Sequence, residues 1–391
     1  MKQEKLILLF TGLVFLVFSS CIERFYIAGP EEIFIPKLVI NGTITTDKNE
    51  HEIVVSMTSS PEDPKFVPVS GCNVRVEDDR NNRYSFYETG KAGHYSAVIN
   101  SRSLIPGTKF RLFVLTPEGK QIVSSGEELL PCPEINAVYS QLETKPTANP
   151  DESEFGLQFY LDFSGNENFG NFYLWKLEET YEYHSTWPVT RYMDRTGVVT
   201  LKRSDYSNFV CYKTDTIQDI FTLSTRGLNQ NTYKKYPLHF VNDKTQRLMY
   251  GYSLLVRQYS LSENAFNFWN NLKKNNKESV DLFGKQPAIV KGNLTNLNDS
   301  AEHILGYFGV SSVASCRIFV PAVNGLSFND VPYCKVTPPA EGVPLPEERP
   351  LYWTQGVGDN GEVFWGFADT ECFICTLLGG TTVKPSYWET K

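Results

Sequence analysis

Cys372 and Cys375 form a C-x-x-C pair near the carboxyl end, with Cys316 and Cys334 upstream. Such a pair does thiol-disulfide chemistry when it opens a helix, where the terminal dipole stabilises the thiolate. Here the pair follows strand-like residues and precedes Gly379, Gly380 and Thr381, so a redox role is disfavoured. Zinc would need about four ligands around one point, and the export argued below favours oxidation of the same cysteines. A disulfide from Cys334 to either Cys372 or Cys375 is therefore expected, tying down the glycine-rich end. Cys132 and Cys211 are expected as the second pair. Cys72 alternates with Val74 and Val76 and reads as a small buried residue.

The other reactive side chains are scattered. The five histidines, at positions 51, 94, 184, 239 and 303, show no metal-ligand spacing. There is no H-E-x-x-H, no G-x-S-x-G elbow and no glycine-rich nucleotide loop. Glu178, Glu179 and Glu182, or Asp162 and Glu167, are the carboxylates nearest a glycosidase or calcium pattern, but paired-carboxylate catalysis is defined by separation in space. No catalytic residue, metal or cofactor is expected.

Aromatic residues make up 14% of the chain. Phe172, Tyr173, Trp175, Tyr181, Tyr183 and Trp187 crowd one region. Strand alternation puts Phe172, Leu174 and Lys176 on one side and Tyr173, Trp175 and Leu177 on the other, so both faces are expected to be covered. Core filling explains any single ring. As a group, Trp175, Tyr181, Tyr183, Trp187 and Trp269 are the candidate binding surface for a small molecule, glycan or peptide.

The elements that must carry these residues begin with an export signal. Lys2 and Lys5 precede an apolar run over residues 6–18, followed by Ser19, Ser20 and Cys21. That run is too short for a retained span, and no later stretch reaches spanning length. The pattern is similar to a bacterial lipobox with Phe18 in the usual Leu position, which makes Cys21 the lipidated residue. More than one acyl chain there would give a durable anchor. The expected organisation is a signal over 1–20, a tether over 21–36, a small β-sandwich over 37–128 and a larger domain over 129–391. The sandwich reads as immunoglobulin-like or prealbumin-like, from about seven short strand signals. The larger domain reads as mostly β, with residues 162–168 as a hairpin tip, one helix over 262–274 and an irregular, disulfide-stapled end. Ser262 is the helix cap, Leu261 and Phe266 its staple, and Phe266, Trp269 and Leu272 its buried row. A formal charge of -8 without a basic block argues against nucleic acid.

The chain resembles a Bacteroidota outer-membrane lipoprotein family known as domain of unknown function 4249. The residues that carry the resemblance are Cys21, the entry strand over 38–45, Cys132-Pro133-Glu134-Ile135 and Phe268-Trp269. They continue with Leu282-Phe283, Gln286-Pro287, Gly292-Asn293 and Leu305-Gly306-Tyr307-Phe308. Ser311-Ser312, the C-x-x-C pair, Gly379-Gly380-Thr381 and Lys384-Pro385 complete them. The resemblance implies a non-enzymatic protein, lipid-anchored in the outer membrane on its cell-surface or periplasmic face. It further implies substrate binding or docking beside a TonB-dependent receptor in nutrient uptake. A structural subunit of an envelope assembly or secretion complex is the alternative, and a surface glycan or protein hydrolase a weaker one.

Overall fold

A computed structural model describes residues 34–278, 289–328, 334–338, 351–358 and 360–388. Cys21, the signal and most of the tether lie outside them. Contacts divide the chain into two units. In one, Met1–Pro36 with Ser59–Pro64, the described part holds a Ser60-centred turn, with Asp63 N donating to Ser60 O at 3.1 Å. The other unit, Lys37–Thr58 with Lys65–Lys391, is mostly β and carries one α-helix among the described residues.

An eleven-stranded sheet opens this larger unit. Alternation is clearest in Lys109–Leu115, where Phe110, Leu112 and Val114 point inward and Lys109, Arg111 and Leu115 outward. The inward rows, with Ile40, Ile53, Val55, Val74, Val76 and Phe308, form one core. Full burial of such side chains stabilises by roughly 1.5–3 kcal/mol each.

The expected boundary at residue 128 does not hold for this sheet. Leu294–Asn296 pairs with Gln121–Ser124, and Phe308–Ser311 adds in parallel to Leu38–Thr45. Segment 37–128 leaves two sheet edges open, and later residues cover them. Gly306 explains the close approach at the second edge. It sits at φ +93°, and a Cβ there would lie 2.1 Å from the Ile40 carbonyl oxygen.

Residues 162–168 are not a hairpin tip. Ser153–Ser164 belongs to a three-stranded sheet with Ile135–Pro146 and Thr232–Asn242. Phe172–His184 belongs to a four-stranded sheet with Val210–Ser224, Gly251–Ser260 and Val313–Pro321. The connection therefore crosses from one layer to the other. Phe159, Leu161 and Phe163 face Tyr173, Trp175 and Leu177 across the resulting core, an arrangement in which both strands hide aromatic side chains.

The helix Glu263–Glu278 starts at the expected cap, with Ala265 N donating to Ser262 Oγ at 3.1 Å. Its buried row includes Ala265 and Phe268 as well as Phe266, Trp269 and Leu272, which pack against Phe172, Leu174 and Tyr259. Toward the carboxyl end, Leu351–Val357 and Val363–Phe367 join Val189–Asp194 and Gly197–Asp205 in a further four-stranded sheet. No helix among the described residues is long and apolar enough to cross a membrane.

Candidate functional site

Five elements of the larger unit meet around a cavity of about 360 Å³. Phe172–His184 presents Leu174 and Lys176 there, and the neighbouring strand supplies Tyr259, opposite Leu174 in the register. Ala265 and Trp269 come from the helix. The far wall is Asn41–Thr43 with Tyr307, Gly309, Val310 and Ser311, where the first strand receives its parallel neighbour.

Lys176 is the charged side chain of this cavity. Its ammonium lies 5.5 Å from the Tyr259 ring centre and 5.4 Å from that of Trp269, within reach of cation-π attraction. No carboxylate oxygen of the described residues stands within 4.0 Å of it. Desolvation by the crowded walls holds its pKa below the usual lysine value, helped by the charges of Lys48 and Arg257 and opposed by Asp47. Arg257 already has acidic neighbours, Asp47 at 3.8 Å and Glu178 at 3.6 Å. The cavity therefore offers a cation between two rings that is not ion-paired among the described residues, suited to an anion carrying an apolar part.

Of the five aromatic residues expected at a binding surface, only Trp269 lines this cavity. Trp175 is fully buried; its Nε1 donates to Gln258 Oε1 at 2.9 Å. Tyr183 is buried too, its hydroxyl donating to the Cys375 carbonyl at 2.7 Å. Tyr181 is half-buried beside it at 5.9 Å between ring centres, and Trp187 packs on Phe373 at 5.5 Å. Trp175, Tyr181 and Tyr183 act in packing because the strand that carries them is covered on both faces, and Trp187, between two strands, packs on Phe373.

The C-x-x-C pair is split between two bridges, Cys211–Cys375 and Cys334–Cys372. The expected Cys132–Cys211 pair is thus corrected. Cys211 lies beside the Tyr212–Thr381 bridge that lays the chain end over its strand, whereas Cys132 lies beside Gln258, its sulfur 3.4 Å from the Gln258 carbonyl oxygen. Burial pushes the Cys132 thiol up to about 11. Cys72 and Cys316 are also free thiols. Gly380 permits the Cys375 turn to close on Tyr183, since a Cβ there would meet the Tyr183 hydroxyl at 2.3 Å.

The candidate carboxylates are held by basic partners. Glu179 is buried against Arg247 at 3.0 Å and accepts from the Tyr252 hydroxyl at 2.6 Å. Glu178 faces Arg317 at 3.3 Å, and Glu182 faces His184 at 2.9 Å. None of the three lines the cavity. Among the described residues, no three or more His, Cys, Asp or Glu side chains converge as metal ligands.

Sequence reasoning missed Tyr259, Tyr307 and the role of Lys176. The available signal was the lysine itself, a charged residue at the end of the Phe172, Leu174, Lys176 row.

Comparison with known proteins adds three findings. No curated protein matches the sequence. Among solved structures, a DUF4785 family protein from Legionella pneumophila aligns at 9% identity and a TM-score of 0.17. The alignment covers 59% of this chain and 54% of that one, so the chain spans about half of that protein's length. Residues 22–317 match the family model described as Domain of unknown function (DUF4249).

Proposed function

The chain belongs to the family described as Domain of unknown function (DUF4249), and from that premise we propose a non-enzymatic, ligand-binding lipoprotein of the bacterial envelope. The observation that carries this reading is Lys176, a cation between Tyr259 and Trp269 with no carboxylate oxygen within 4.0 Å among the described residues. The ligand class is a small amphiphilic anion, its carboxylate or phosphate on Lys176 and its apolar part against the rings. Among the described residues lining the cavity there is no Asp, Glu, His or Cys, which favours binding over turnover.

The finer reading places the protein in the outer membrane of a Bacteroidota cell, anchored through Cys21 beside a TonB-dependent receptor. Lys2, Lys5, the apolar run and Cys21 support export and lipidation. Docking is supported by one face of the carboxyl-terminal sheet. Register puts Val357 opposite Val363, and Gln355 opposite Trp365. Val357 is 71% exposed, Val363 60% and Trp365 42%. An apolar sheet face of this kind is a common contact surface.

The test is a gentle detergent purification of the full-length protein from its native membrane, with mass spectrometry of partner proteins and retained small molecules. The expected result is a stoichiometric TonB-dependent barrel together with a small acid that Lys176→Gln no longer retains. Recovery of the lipoprotein alone, or of envelope-assembly proteins, overturns the receptor role. An unchanged small-molecule profile in Lys176→Gln overturns the binding role of the cavity.

A further inference from the structure

The helix Glu263–Glu278 has a second working face. Asn264, Asn267 and Asn271 follow one another at spacings of three and four, which lines them up along one side. All three are exposed, and among the described residues none of their side chains hydrogen-bonds to the protein. Asn270, facing the sheet instead, lies 3.5 Å from the Thr222 hydroxyl. Asparagine is a weak helix former because its amide competes for backbone bonds. Three in a row on solvent-facing turns therefore contribute little to the helix itself.

These amides form one wall of a groove of about 680 Å³. Arg111, Lys291 and the exposed Thr295 line the same groove. Neither Arg111 nor Lys291 has a carboxylate oxygen within 4.0 Å among the described residues. The floor is already fixed. Asn293 donates to the Phe308 carbonyl at 2.8 Å, and its side-chain oxygen accepts from Phe308 N at 3.0 Å. A groove lined by amides and cations that have no side-chain partner among the described residues matches a long ligand rich in hydroxyl groups and bearing negative charge. Each amide both donates and accepts, as a sugar hydroxyl does, while the cations supply charge complementarity.

We propose that this groove binds an acidic oligosaccharide, with Asn264, Asn267 and Asn271 holding hydroxyl groups and Arg111 and Lys291 holding its carboxylates. The site is separate from the cavity at Lys176, although the same helix walls both. An acidic peptide shares the charge but not the dense hydroxyl groups.

The test is calorimetric titration of the folded protein with oligogalacturonides of defined length, with neutral galactose oligomers and with oligoglutamate as comparisons. Oligogalacturonide is expected to bind and to weaken with added salt, while the comparison ligands bind at least about tenfold less tightly. Arg111→Gln with Lys291→Gln, and separately Asn264→Ala with Asn267→Ala and Asn271→Ala, are each expected to weaken binding by about tenfold or more. Alanine favours the helix, so the second variant should keep its thermal midpoint. Lys176→Gln should leave this binding unchanged, which separates the groove from the cavity. Absence of oligogalacturonide binding, equal binding of oligoglutamate, or full binding by the triple asparagine variant overturns the proposal.

Discussion

The Tyr307 hydroxyl donates to the buried carboxylate of Glu127 at 2.6 Å. The same carboxylate accepts from Ser262, the helix cap, at 2.7 Å and from Asn293 at 3.2 Å. One acidic group of the first sheet thus fixes the start of the helix and the residue that walls both the cavity and the groove.

Glu127→Ala would leave three donors without that acceptor. It is expected to destabilise by about 3 kcal/mol, against about 1 kcal/mol for Tyr307→Phe, which removes one donor. Urea unfolding of both variants checks the order.

The disulfides give a second prediction. Cys211–Cys375 closes a separation of 164 residues and Cys334–Cys372 one of 38. Chain entropy makes the longer bridge worth about 5 kcal/mol and the shorter about 4 kcal/mol. Cys375→Ser should therefore lower the thermal midpoint more than Cys372→Ser. Non-reducing peptide mapping should recover these two bridges, and Cys132, its thiol pushed up to about 11, should alkylate at pH 8 only after unfolding.

His51 makes stability depend on acid. It is fully buried, and neither ring nitrogen makes a well-formed hydrogen bond among the described residues. Desolvation lowers its pKa to about 4, with Lys48 adding and a weak backbone contact at Ile99 and the charge of Asp47 opposing. The unfolded chain takes up the proton near its ordinary value of 6.5, well before the folded one. Stability is therefore full above about pH 6.5 and falls toward pH 4 by on the order of 3 kcal/mol. Burial also depresses His239 and acts in the same direction. His51→Phe should flatten the profile measured by thermal melts across that range.

Lys176→Met separates binding from folding. The lysine has no carboxylate within 4.0 Å among the described residues and lies beside other cations, so its loss should leave the melting temperature no lower. Retention of a small acidic ligand should fall by about tenfold. Differential scanning fluorimetry with and without ligand reads both effects.

Local patterns in the sequence carried much of this structure. The alternation over residues 172–177 correctly assigned rings to two faces, and Ser262 marked the helix start, because each depends on neighbours a few residues away. The crossover at 162–168, the Cys211–Cys375 bridge and the Tyr307–Glu127 contact depend on residues far apart in the chain. So did the cavity: Lys176 acquires its setting from Tyr259, Trp269 and Tyr307, none of them in its own strand.

The parallel addition of Phe308–Ser311 to Leu38–Thr45 also sets an order of events. The first strand to be made waits for a neighbour made some 270 residues later, counting from Leu38 to Phe308. Long-range closure of this kind is slow. The early sheet therefore keeps an open edge until most of the chain has been made, and mutations in either strand are expected to lower the yield of folded protein more than its final stability.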